Sequence, residues 1–118
     1  MLEAPIGSQY NAALTPAQRI SVLYRQVRND SGNAELQNEL GLAYQEVGDL
    51  YSALESLTRA RALAPDNPAY AYNLALLQRV RKDMPAARKV FADYLQLETD
   101  PVEHQKALEN PALRDLLP

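Results

Sequence analysis

Residues 34–67, AELQNELGLAYQEVGDLYSALESLTRARALAPDN, decide the fold once residues 68–101, PAYAYNLALLQRVRKDMPAARKVFADYLQLETDP, are laid beneath them. Six positions are identical: Leu40/Leu74, Leu42/Leu76, Asp49/Asp83, Ala53/Ala87, Leu63/Leu97 and Asp66/Asp100. The pattern of substitution carries more than the identities. Small residues fall on small ones (Gly41/Ala75, Ala53/Ala87) and large apolar residues on large ones (Leu50/Met84, Leu57/Phe91). Self-similarity at this period arises from stacked helical hairpins, each with a face that only its neighbour can bury. Such units bind other proteins far more often than they carry chemistry.

Outward from these two units, the chain reads as helical throughout. Asp49 caps a helix over 50–63, and Asn67 with Pro68 opens one over 68–81. Asp83 precedes a helix over 84–97, in whose first turn Pro85 is tolerated. The first helix of the pair, over 34–47, carries a buried face of Leu36, Leu40, Ala43, Tyr44 and Val47. Before it, Thr15-Pro16-Ala17-Gln18 forms a capping box with proline at the first helical position. The stripe Ile20, Leu23, Tyr24 and Val27 then faces one side. Asp100-Pro101 opens a short helix over 102–109, and Asn110-Pro111 a last turn over 112–117. Residues 1–14, with Pro5, Gly7, Ser8 and Asn11 and no helical period, read as an extended or mobile arm. The expected organisation is an arm (1–14), an N-terminal helix and turn (15–33), two repeats (34–67 and 68–101) and C-terminal capping helices (102–118).

Leu40-Gly41, Tyr44, Ala53, Leu57, Ala60 and Pro65 stand at the offsets of the tetratricopeptide repeat, which residues 34–67 therefore resemble. Residues 68–101 keep Leu74-Ala75, Ala87 and Phe91, but carry Gln78 for the tyrosine, Tyr94 for the second alanine and Thr99 for the proline. The resemblance implies an all-α, right-handed superhelix, an α-solenoid of two hairpins with flanking capping helices. Its bottom-up reason is steric. Gly41 and Ala53 let two antiparallel helices approach, Ala75 and Ala87 repeat this, and Leu57 and Phe91 fill the volume between hairpins. Tyr94 occupies the place where a small residue admits the next repeat. The following helix is therefore expected to pack differently and to act as a cap. The N-terminal helix is expected to cover the other end, like the second helix of an incomplete repeat.

The resemblance also implies a partner-binding groove on the concave side, made by the first helices of the repeats. The residues expected there are Glu35, Asn38, Leu42, Gln45 and Glu46, with Ala69, Tyr72, Asn73, Leu76 and Arg79. Leu42, Tyr72 and Leu76 make an apolar centre within a polar rim, the anatomy of a protein contact. Tyr72 and Leu76 are expected to face outward from the hairpin core. Some family members grip a terminal carboxylate with Lys and Asn on the first groove helix and Asn on the second. Here Asn73 is kept, but Asn38 and Leu42 replace the other two. The expected partner is therefore an apolar or amphipathic peptide, or a helix.

The remaining composition excludes more than it adds. The chain has 118 residues, 47% hydrophobic content and a net charge of -3, which fits one small folded domain and not a nucleic-acid binder. It has no cysteine, so no disulfide, thiolate metal site or thiol nucleophile. His104 stands without an orienting partner and reads as a surface residue. Glu35 and Glu39 share a helix face, as exposed acids commonly do, and the four glycines form no phosphate loop. No catalytic residue, metal site or cofactor is expected. Arg79, Arg81, Lys82, Arg88 and Lys89 cluster at the second hairpin's turn, where cations complement a helix C-terminus. No apolar run is long enough to cross a membrane, and the N-terminus lacks a signal-peptide pattern. The protein reads as cytosolic or as one whose targeting segment has been removed. The rival to an adaptor is a structural self-assembly element, or a fragment of a larger solenoid, that stacks through its ends. Residues 34–67 carry six acids against two arginines, and residues 68–101 five bases against four acids.

Overall fold

The computed structural model describes residues 14–118, and no strand occurs among them. Among the described residues six α-helices follow one another: α1 (Pro16–Asn29), α2 (Ala34–Glu46), α3 (Leu50–Leu63), α4 (Pro68–Val80), α5 (Met84–Leu97) and α6 (Pro101–Glu109). A 3-10 helix, Pro111–Leu116, closes the chain. The N-terminal arm read over residues 1–14 falls, except for Leu14, outside the described residues. The Cα radius of gyration is 15.9 Å, against about 13 Å for a sphere-like domain of this length. The elongation, 55 × 26 × 24 Å, is that of a stack of hairpins.

Each helix start is fixed by a side chain. Thr15 accepts from the Gln18 N–H at 3.1 Å while its own N–H donates to the Gln18 side chain at 2.9 Å. Asn33, Asp49, Asn67, Asp83, Asp100 and Asn110 cap the later helices in the same way. These bonds satisfy amides that a helix leaves free at its first turn. Proline follows the cap at Pro16, Pro68, Pro101 and Pro111, where its missing N–H removes no helical bond.

The turns inside the two hairpins are alike in backbone. The Gly48 N–H donates to the Gln45 carbonyl at 3.0 Å and the Asp49 N–H to the Tyr44 carbonyl at 3.0 Å. One period later, Lys82 donates to Arg79 at 3.0 Å and Asp83 to Gln78 at 2.9 Å. This Schellman arrangement needs a left-handed residue. Gly48 supplies it with φ 84°, and Lys82, with φ 66°, must adopt it despite its Cβ.

Within the first hairpin the close approach is Gly41 against Leu57. A Cβ added to Gly41 would lie 2.6 Å from Leu57 Cδ2 and 3.2 Å from the Leu57 backbone nitrogen. The main core runs from Ala53 and Leu57 through Ala71, Leu74, Ala75 and Leu77 to Ala87, Phe91 and Tyr94. It ends on Ala107, Leu113 and Leu116, so the C-terminal turns seal the last hairpin. At the other end Leu23 of α1 packs with Leu40 and Ala43 of α2, flanked by Ile20, Val27, Leu36 and Tyr44.

Two expected core residues lie elsewhere. Val47 is 47% exposed because it is already the C-cap, where the chain turns toward Gly48. Tyr24 is 51% exposed. It sits a third of a turn past Leu23 and lies along a shallow groove beside Arg59 and Leu63, away from α2.

Candidate functional site

Helices α2 and α4 are the first helices of the two hairpins, and α6 follows the second. The first two meet through side-chain amides: Asn73 Nδ2 donates to Asn38 Oδ1 at 3.0 Å. Beyond α4 the repeat pattern departs at Tyr94. In α3 the corresponding residue is Ala60, fully buried. Tyr94 is also buried, at 5% exposure. It stacks on Phe91 with centroids 5.7 Å apart and meets Tyr72 at 5.1 Å. Helix α6 has nine residues, ends at Asn110 before Pro111, and buries Ala107 alone.

Between α4 and α6 this leaves a recess of about 430 Å³. Tyr72, Tyr94 and Ala107 provide its apolar lining. Ala69, Asn73 and Asn110 add small and amide groups, and Glu98, Glu103 and Lys106 add charge. Lys106 Nζ is already 3.3 Å from Glu103 Oε1, so the balance of the rim is acidic. Burial pushes the Tyr94 hydroxyl above its ordinary pKa near 10, and the Glu98 carboxylate adds to this. Burial and Asp49 do the same to Tyr44. Both phenols stay protonated at neutral pH and act as hydrogen-bonding and packing groups.

The residues expected to line one groove are exposed or half-buried, and they separate into several settings. Ala69, Tyr72 and Asn73 border the recess. Asn38 touches it through Asn73, while Glu35 and Gln45 continue along α2. Leu42, 40% exposed, lies instead in a separate groove between α1 and α2, together with Glu46. Leu76 packs against the main core and borders neither concavity. The expected apolar centre of Leu42, Tyr72 and Leu76 is thus not one patch, because the Asn38–Asn73 bond lies where α2 meets α4. Nor do Tyr72 and Leu76 simply face outward: both are partly buried against the core, Tyr72 because Tyr94 rises to meet it.

Arg79 is drawn away from the groove altogether. Its Nε donates to both carboxylate oxygens of Asp115, at 3.0 and 3.1 Å, and Arg88 Nε donates to the Asp115 carbonyl at 3.0 Å. Two members of the basic cluster therefore clasp the C-terminal turn. Arg81 donates to Gln78, and Lys89 lies 3.8 Å from Asp93. His104 is half-buried on α6. Among the described residues, no three His, Asp or Glu side chains converge on a common point.

With this geometry in place, the chain can be set beside known proteins. No family model matches it, and no curated protein matches it in sequence. In structure it is similar to MamA, a tetratricopeptide-like protein known from a crystal structure. The TM-score is 0.73 at 21% identity, over 98% of this chain and 74% of that one. The fold is a tetratricopeptide-like α-solenoid. Sequence alone did not point to Glu98, Glu103, Lys106, Ala107 or Asn110 as neighbours of Tyr72. The available signal was Tyr94, a large residue at a position that is small in the preceding repeat.

Proposed function

We propose that this solenoid is a noncatalytic protein-interaction module whose concave face takes a short peptide or helix of a partner protein. The observation that carries this is the recess between α4 and α6, lined by Tyr72 and Tyr94. Aromatic side chains in a concavity are the usual anchors of interface energy. Asn73 and Asn110 offer amides to a partner backbone, and Glu35, Asn38 and Gln45 extend the track along α2. The acids Glu98 and Glu103 favour a segment in which a basic residue adjoins an apolar one.

Peptides selected against the intact protein from a displayed library provide the test. Ala69 is exposed at the recess, so Ala69→Arg obstructs it without touching the core. We expect Ala69→Arg to weaken the selected peptides by at least about tenfold, or ~1.4 kcal/mol. Lys89→Glu, on an 80% exposed side chain of α5, should leave binding unchanged. Equal binding to all three proteins would reject the recess. The rival reading, stacking of copies through their ends, draws on Val102, 60% exposed on α6. It requires the mass measured by light scattering to rise with concentration and to fall in Val102→Glu.

A further inference from the structure

One interval of the helix stack is bridged by charge, and the interval before it is not. Between α3 and α5, Arg61 donates to Asp93 at 2.8 Å, with both side chains partly buried. Ala71 of α4 is fully buried. One repeat period earlier, Val27 of α1 stands in the place of Arg61, Arg59 of α3 in that of Asp93, and Gln37 of α2 in that of Ala71. The bridge is thereby lost. A groove of about 530 Å³ lies between α1 and α3, and its walls include Tyr24, Val27, Arg28, Gln37, Arg59 and Leu63.

The charge in this groove has one sign. Arg28 and Arg59 line it and no acid does. Neither arginine is in an ion pair with a described residue. Asp30 and Glu55, the acids nearest to them in sequence, lie beyond ion-pair distance, and Asp30 accepts from Asn33 Nδ2 at 3.1 Å instead. The apolar surface beside the arginines is open, with Tyr24 51% and Leu63 45% exposed. Gln37 supplies an independent observation. It is 3% exposed, and its Nε2 donates to the Ser31 carbonyl at 3.3 Å, which fixes the way the amide points. Its Oε1 has no partner. Buried acceptors in folded proteins are nearly always paired, and one left unmet is costly.

We propose that the α1–α3 groove is a second docking site, selective for a segment of a partner protein in which a carboxylate stands beside an apolar side chain. Arg28 and Arg59 hold the carboxylate, which a guanidinium matches with two parallel N–H donors. The apolar neighbour lies on Tyr24 and Leu63. An N–H of the seated segment reaches Gln37 Oε1 as the exposed side chains at the rim give way. The charge preference is opposite to that of the α4–α6 recess, whose rim is acidic. The two sites share no lining residue, so a single solenoid sorts two segments by charge.

Two displayed peptide libraries of equal length test this against the full chain. One combines Asp and Glu with apolar residues, and the other carries Lys and Arg in place of the acids. The acidic library should yield binders that weaken at least about tenfold in the double variant Arg28→Gln/Arg59→Gln. Both arginines are exposed, so the variant keeps the fold, as circular dichroism will check. The same binders should hold undiminished to Ala69→Arg, in which the recess is blocked. In isotope-labelled protein an enriched acidic peptide should shift the side-chain amide of Gln37 and the backbone amides of Arg28, Arg59 and Leu63. Failure of the acidic library to enrich, or equal binding to the double variant, would overturn the proposal. So would loss of binding in Ala69→Arg, which would place the acidic peptides in the recess. An unmoved Gln37 side chain would overturn its part in the site. A mass that rises with concentration in light scattering, and no longer rises in the double variant, would make a second copy the occupant in place of a partner. The peptides that test the recess carry a basic residue, so either site can fail alone.

Discussion

Replacing Gly41 by alanine should destabilise the protein, although the same exchange inside an ordinary helix stabilises it by about 1 kcal/mol. The added Cβ would lie 2.6 Å from Leu57 Cδ2, 2.7 Å from its Cγ and 3.2 Å from its backbone nitrogen. Leu57 has no exposed surface. The contact with a backbone atom means that α2 and α3 themselves must part. Overpacking of this kind costs on the order of 1–3 kcal/mol. Set against the helix-propensity gain, the net expectation is a loss of up to about 2 kcal/mol. A two-mutation cycle removes the ambiguity of that difference. Leu57→Ala alone should cost about 2–5 kcal/mol. In the Leu57→Ala background, however, Gly41→Ala should turn stabilising, since the clashing atoms are gone. Urea unfolding followed by circular dichroism gives all four free energies. A coupling of about 1–3 kcal/mol is expected for residues in such contact. If Gly41→Ala stabilises both backgrounds equally, the helices do not cross at Gly41 and the reasoning is wrong.

The two hairpin turns should respond in opposite directions. Lys82→Gly should stabilise by up to about 1 kcal/mol, and Gly48→Ala should cost about 1–2 kcal/mol, because a Cβ is unfavourable at positive φ; thermal melts of both variants check this. The C-terminal turn is held by packing more than by charge. Leu116→Ala, at 1% exposure, should cost about 2–5 kcal/mol, whereas Asp115→Ala, in a pair more than a third exposed, should cost no more than about 1 kcal/mol. Stability should also fall at alkaline pH. The folded-state pKa values of Tyr94 and Tyr44 are raised, so their contribution is complete below about pH 10 and declines as pH rises toward those values. Tyr94→Phe should flatten that decline in urea midpoints measured across the alkaline range.

Much of the fold is legible because its determinants are local. The cap of each helix lies within three residues of the amide it serves, so Thr15, Asn67, Asp100 and Asn110 announce helix starts in the sequence itself. Gly41 and Leu57 belong to one repeat, and their spacing is part of the motif. The site is less legible because its determinants are distant. Whether Tyr72 faces solvent depends on Tyr94, 22 residues later on the facing helix α5, and on how far α6 stands away. Arg79 is lost to the groove through Asp115, 36 residues later, a pairing that no local pattern records. Leu42 shares its helix face with the groove set, but the neighbouring surface belongs to α1. A register read along one helix gives the direction of a side chain, not what waits there.

The central claim is that the concave recess between α4 and α6 receives a partner segment. A backbone amide chemical-shift titration of the isotope-labelled protein with a library-selected peptide tests it most directly. The account predicts shifts concentrated at Ala69, Tyr72, Asn73, Lys106 and Asn110, extending toward Asn38 and sparing the outer residues of α3 and α5. Shifts concentrated instead on Tyr51, Glu55, Arg59 and Lys89, with the recess residues unmoved, would contradict it.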